Sequence, residues 1–121
     1  MDLEDIKAAL EAGKIDEARD CLLAIVESDP NETRAWLLLA GVAVRSEDWQ
    51  LGARTFDALV ALRPADCLAS SGLVECLVKL GRNSEALAEI DRFASWADDR
   101  KSNDRIVLDE HKAIAEGIRR V

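Results

Sequence analysis

Residues 33–66 read TRAWLLLAGVAVRSEDWQLGARTFDALVALRPAD, and their spacing decides the fold. Trp36, Leu39, Ala40 and Ala43 fall at i, i+3, i+4 and i+7, so a helix over 33–45 gathers them on one face. Ser46-Glu-Asp-Trp49 interrupts the pattern with capping residues but no glycine, which predicts a slightly different turn from those described below. Apolar residues then resume at helical spacing with Phe56, Leu59 and Val60, and Pro64 closes the run. Two helices joined by a short turn account for the whole segment.

Outside this segment the same marks return at an interval of 34. Pro30 and Pro64 are 34 apart, Gly13 and Gly81 twice that, and the small residues Ala18, Gly52 and Ala86 share the register. A fixed period sets the architecture before any single element does. Gly13-Lys-Ile-Asp-Glu-Ala18 and Gly81-Arg-Asn-Ser-Glu-Ala86 read as one device, in which glycine ends a helix and a polar residue caps the next. The second helices carry Leu22, Ile25 and Val26, then Leu87, Ile90, Phe93 and Ala94, while Leu73, Val74 and Leu77 repeat the first-helix stripe. The pattern predicts helices at 2–11, 16–28, 33–45, 49–61, 67–79, 84–97 and 103–120, and no strand. The small residues at 18, 52 and 86 are expected where the second helix of a pair crosses the first. A glycine inside a helix, as at 52, costs about 0.5–1 kcal/mol relative to alanine and needs a packing return.

A 34-residue helix–turn–helix with Trp36, Leu39 and Ala40 early, Gly52 and Phe56 in its second half and Pro64 at its end resembles a tetratricopeptide repeat. The first repeat has Asp2 in place of the early aromatic; the third has Ser70 there and Asp98 in place of the closing proline. The resemblance implies an all-α, right-handed solenoid of three such repeats, about 1–32, 33–66 and 67–100, in one domain spanning 1–121. The helix at 103–120 is then either a C-terminal cap or half of a fourth repeat.

Composition fits this expectation. At 121 residues, with 49% hydrophobic and 33% charged residues, the chain is too apolar for a disordered one and can bury a core unaided. Sixteen basic against 24 acidic residues leave a net charge of −8, which disfavours nucleic acid and anionic membrane as partners. Residues 1–32 hold ten acidic and three basic side chains and so most of the excess. The start Met-Asp-Leu-Glu-Asp has neither the basic region nor the apolar core of a secretion signal, and no apolar run approaches the roughly 20 residues of a membrane span. Cys21, Cys67 and Cys76 are odd in number and without C-x-x-C spacing, so they read as buried free thiols. A cytoplasmic location is expected.

Chemistry is sparse. His111 is the sole histidine and lies on the stripe Val107, His111, Ile114, Ile118 and Val121, which predicts a ring packed between helices. The pairs Asp16-Glu17, Glu47-Asp48 and Asp98-Asp99 fall at turns, where carboxylates favour helix N-termini. The glycines are isolated, so no phosphate-binding loop is present. Trp36, Trp49 and Trp96 are spread over the repeats with no basic interleaving and read as packing residues. No catalytic residue, metal site or cofactor is expected, and an enzyme is not.

In the family it resembles, the first helix of each pair lines the concave side of the stack. The stripe of 33–45 left outside the core is Arg34, Leu37, Leu38, Gly41, Val44 and Arg45; in 67–79 it is Leu68, Ser71, Gly72, Glu75, Val78 and Lys79; in 2–11 it is Leu3, Lys7, Leu10 and Glu11. The expected partner-binding set is Lys7, Arg34, Leu37, Gly41, Arg45, Leu68, Glu75, Val78 and Lys79: an apolar groove with basic edges, in which Gly41 and Gly72 admit a ligand backbone. The partner it fits is another protein's helix or peptide with apolar anchors and acidic flanks. Equally, four cations among a dozen residues are what an ordinary solvated face carries. The clamp by which some family members hold the acidic tails of heat-shock chaperones is not expected, because its places hold Leu3, Lys7, Leu38, Leu68 and Gly72. The resemblance thus implies a non-catalytic interaction scaffold, an adaptor or a small chaperone. The alternative is a regulatory or oligomerisation module of an enzyme whose catalytic part lies elsewhere.

Overall fold

The computed structural model describes residues 1–120, so Val121, the last member of the expected C-terminal stripe, lies outside the described residues. Among them are seven helices and no strand: α1 (Leu3–Glu11), α2 (Ile15–Ser28), α3 (Thr33–Arg45), α4 (Trp49–Leu62), α5 (Cys67–Lys79), α6 (Asn83–Trp96) and α7 (Ser102–Arg119). Each packs on its successor, and α7 also packs on α5.

The three turns inside the pairs are built alike. Lys14 N–H donates to Ala9 C=O at 2.9 Å, Asp48 N–H to Ala43 C=O at 2.9 Å and Arg82 N–H to Leu77 C=O at 2.8 Å, closing each first helix through a left-handed residue. Gly13 (φ 81°) and Gly81 (φ 74°) take that conformation freely; in the middle repeat Glu47 takes it, at φ 52°. The expectation of a different middle turn is therefore corrected: the hydrogen bonds hold the geometry, and a glutamate bears the strain. Side-chain caps are also fewer than expected inside the pairs. Asp48 caps α4 by accepting from Leu51 N–H at 3.1 Å, whereas α2 and α6 begin at Lys14 and Arg82 without one.

Ile6, Leu22, Leu39, Leu59, Val74 and Phe93 are fully buried and string the core along the stack. Trp36 is also buried, and its indole N–H donates to Pro30 C=O at 2.8 Å. Trp96 departs from the expectation for tryptophans: it ends α6 and is exposed. Ala94, expected on the α6 core stripe, is exposed as well.

Gly52 is buried, but the partner it needs room for is not the one the repeat pattern indicates. A Cβ there would stand 2.6 Å from Cys76 Sγ of α5 and 3.7 Å from Ala43 Cβ of its own pair. The tight approach is therefore to the following repeat. Gly72, expected in the groove, is corrected likewise: a Cβ there would meet the Phe56 ring at 2.4 Å, so the missing side chain makes room for that ring rather than for a ligand.

Candidate functional site

All nine residues of the expected binding set are exposed. Four large aliphatic side chains of α3 and α5 stay in solvent although the helices bury their other faces: Leu37 (45%), Val44 (44%), Leu68 (73%) and Val78 (37%). Leu37 and Leu68 meet at a hollow of about 550 Å³ between the N-terminal ends of α3 and α5. Phe56, Leu59 and Ala69 also line it, and Lys101, Ser102, Asn103 and Asp104 supply a polar wall from the start of α7. Val44 and Val78 hold equivalent places 34 residues apart, near the other ends of the same helices. Gly41 lies between, with nothing within 4 Å of where its Cβ would be.

The four cations of the set differ in their surroundings. The guanidinium of Arg34 grips Glu32 through Nε and Nη2, each at 3.1 Å, and that hydrogen-bonded side chain holds the Glu32 carboxyl below its usual range. Lys7 approaches Glu4 at 3.5 Å. Arg45 has no ion-pair partner among the described residues, and Lys79 stands 5.6 Å from the Trp49 ring centroid, a cation–π contact. The unneutralised positive charge is thus concentrated at the C-terminal ends of α3 and α5, beside Val44 and Val78. Glu75, one turn before Lys79, is the carboxylate of the same stripe.

A second polar cluster lies inside the protein, where α5, α6 and α7 meet. Ser70 Oγ donates to Glu89 Oε2 at 2.7 Å and lies 3.0 Å from His111 Nε2. Arg92 donates to Glu89 Oε1 from Nε at 2.6 Å and to Oε2 from Nη2 at 2.7 Å, while its Nη1 donates to Pro64 C=O at 2.9 Å. Phe93 meets the edge of the imidazole, with ring centroids 5.7 Å apart. A serine, a histidine and a carboxylate in hydrogen-bond reach invite a catalytic reading, but the connectivity opposes one. The seryl proton points to the carboxylate, so the imidazole donates to the serine instead of receiving from it, the reverse of nucleophile activation. Ser70, His111 and Glu89 are 0%, 2% and 6% exposed, leaving no access for a substrate. The cluster is a polar joint of the core.

Sequence reasoning found His111 at a helix interface but missed this network. The signal was the repeat register: Ser70 stands where the middle repeat has Trp36, and Glu89 where it has Thr55. The acidic turn pairs have local roles. Asp98 pairs with Arg100 at 3.0 Å, and its N–H donates to Asp104 Oδ2 at 2.9 Å. Cys21, Cys67 and Cys76 are free thiols, but only Cys76 is buried as expected, the other two being half-buried; burial pushes Cys76 up to about 11. Burial, followed by a hydrogen bond with Asp104, raises Cys67. Among the described residues no His, Cys, Asp and Glu cluster could hold a metal ion, and no helix is long and apolar enough to cross a membrane.

The model of one protein family, the tetratricopeptide repeat, matches residues 3–66 and again 42–102. No curated protein matches the chain. The first matched span holds α1 to α4 and the second the end of α3 with α4, α5 and α6; they overlap across α4, and together they run from the first residue of α1 to the first of α7. The chain belongs to the tetratricopeptide repeat family.

Proposed function

We propose that this protein is a non-catalytic scaffold that holds a segment of another protein along the exposed face of its first helices. Repeats of this family mediate protein–protein interaction. The observation that carries the reading here is the set of aliphatic side chains left in solvent on α3 and α5, above all Leu37 and Leu68 at the mouth of one hollow. Two large apolar residues converging on a concavity are what an apolar anchor of a partner would fill. Arg45 and Lys79, without carboxylate partners, fit an acidic flank on that segment and set its direction and association rate more than its affinity. Lys7 and Arg34 contribute less, since each already faces a glutamate.

α7 serves as the cap of the stack. It turns Val107, His111 and Ala115 inward and exposes Arg105, Asp109, Glu110, Lys112 and Glu116. Three unpaired cysteines suit a reducing compartment such as the cytoplasm.

The test is site-directed photo-crosslinking in cells, with the reactive residue placed at Leu68 or, as control, at the exposed Asp57 of α4. A discrete adduct from position 68 that disappears when Leu37→Asp is added is the expected result. Adducts from position 57 alone, or adducts from 68 indifferent to Leu37→Asp, would move the interface off this face.

A further inference from the structure

His111 holds α7 to the rest of the stack through a hydrogen bond whose proton positions are fixed by its neighbours. Both oxygens of Glu89 accept, from Arg92 and from Ser70, so the seryl hydrogen is committed to Glu89. The imidazole must therefore bring its own hydrogen on Nε2 to Ser70 Oγ, which leaves Nδ1 as the bare nitrogen. Nδ1 is buried and has no hydrogen-bond partner. A second proton on the ring would thus place an N–H and a positive charge where nothing accepts the one and little solvates the other.

We propose that His111 is an acid-sensitive latch: protonation of its ring frees α7 from α5 and α6, uncovering the end of the core and removing one wall of the Leu37–Leu68 hollow. From α6, Glu89 and Asp91 favour a charged imidazole and Arg92 opposes it; from α7 itself, Glu110 and Glu116 favour it and Lys112 and Arg119 oppose it; α5 offers the uncharged Ser70. Burial outweighs the carboxylates and holds the imidazole below its ordinary 6.5. Docked α7 then binds fewer protons than freed α7. Acidification through 6.5 favours the freed helix, and the effect levels off once the pH has passed the lowered value of the docked state. Asp104, whose carboxylate helps raise the Cys67 thiol of α5, lies at the start of α7, seven residues before the ring.

The latch stands independently of any partner, so its test needs none. Because His111 is the only histidine, one imidazole signal reports it. Hydrogen exchange of the α7 amides, corrected for intrinsic pH dependence, should show opening increased about threefold or more between about pH 7.5 and about pH 5.5, while α3 and α4 change little. Over the same interval, NMR should show the ring still largely the neutral Nε2–H tautomer, with its titration displaced below the ordinary 6.5. His111→Phe, which keeps an aromatic ring beside Phe93, should leave α7 docked and its protection flat across this range. An imidazole that titrates at its ordinary value with α7 still protected, or pH-dependent opening that persists in His111→Phe, would overturn the proposal. Should that variant not fold, the wild-type exchange and imidazole titration decide alone.

Discussion

Replacing Gly52 by alanine isolates a contact that the repeat pattern does not show. Alanine occupies the equivalent places 18 and 86, and at an open helix site the change should stabilise by about 1 kcal/mol. Here the new methyl would lie 2.6 Å from Cys76 Sγ, about 1 Å inside ordinary contact. Cys76 is 1% exposed and has one side-chain rotor, restricted further by its helix, so the sulfur has no free space to enter. Overpacking of this kind costs about 1–3 kcal/mol, leaving Gly52→Ala net destabilising by about 0–2 kcal/mol. Cys76→Ala alone removes one buried heavy atom and should cost about 0.5–1.5 kcal/mol. In the double variant the methyl takes the place of the sulfur, and stability should return to within about 0.5 kcal/mol of the wild type. The coupling of about 1–3 kcal/mol greatly exceeds the few tenths at which distant sites add. Urea denaturation followed by circular dichroism at matched m-values measures all four corners of the cycle. Additive single effects, or full stabilisation by Gly52→Ala alone, would refute the packing argument.

Three other outcomes are expected. Glu47→Gly should stabilise by about 0.5–1 kcal/mol in the same denaturation assay, because it relieves a left-handed residue at a turn whose counterparts are already glycines. Thr55 Oγ1 is buried with no partner, so Thr55→Val, equal in shape and branching, should raise the stability by about 1–2 kcal/mol and Tm with it. With its thiol near 11, native Cys76 is almost wholly protonated at pH 8; thiol-directed labelling there should reach it only through unfolding, at a rate that rises with urea, and direct labelling of the folded state would contradict its burial.

Much of the fold was legible because local spacing carries it: each expected helix end lies within one residue of the observed one. Exposure of the groove residues was equally legible, since Leu37, Val44, Leu68 and Val78 are what remains of α3 and α5 once the core stripe is removed. Pairings across helices were not. That Gly52 answers to Cys76, or Gly72 to Phe56, depends on how neighbouring repeats nest, which the period alone does not encode. The charge of the groove was misjudged for a related reason. Arg34 counts as a free cation on a helical wheel, but its guanidinium turns back to Glu32, which lies before the helix begins.

The closing carbonyls show how the third repeat manages without its tryptophan. Pro30 and Pro64 are equivalent, and each presents a carbonyl that needs a donor at the junction of two repeats. At Pro30 the donor is the indole of Trp36. At Pro64 the tryptophan place holds Ser70, which is too short to reach, and Arg92 donates from the next helix. This half-buried guanidinium pairs with the buried carboxylate of Glu89, which stands where the middle repeat has Thr55. The second oxygen of Glu89 then takes the Ser70 hydroxyl, and His111, which packs edge to face with Phe93, reaches the same serine from α7. Where the middle repeat has one aromatic, the third thus has a serine joined to an arginine, a glutamate and a histidine. The last of these lies on α7, so the stack becomes tied to its final helix by the one side chain in the chain whose ordinary titration falls near neutrality.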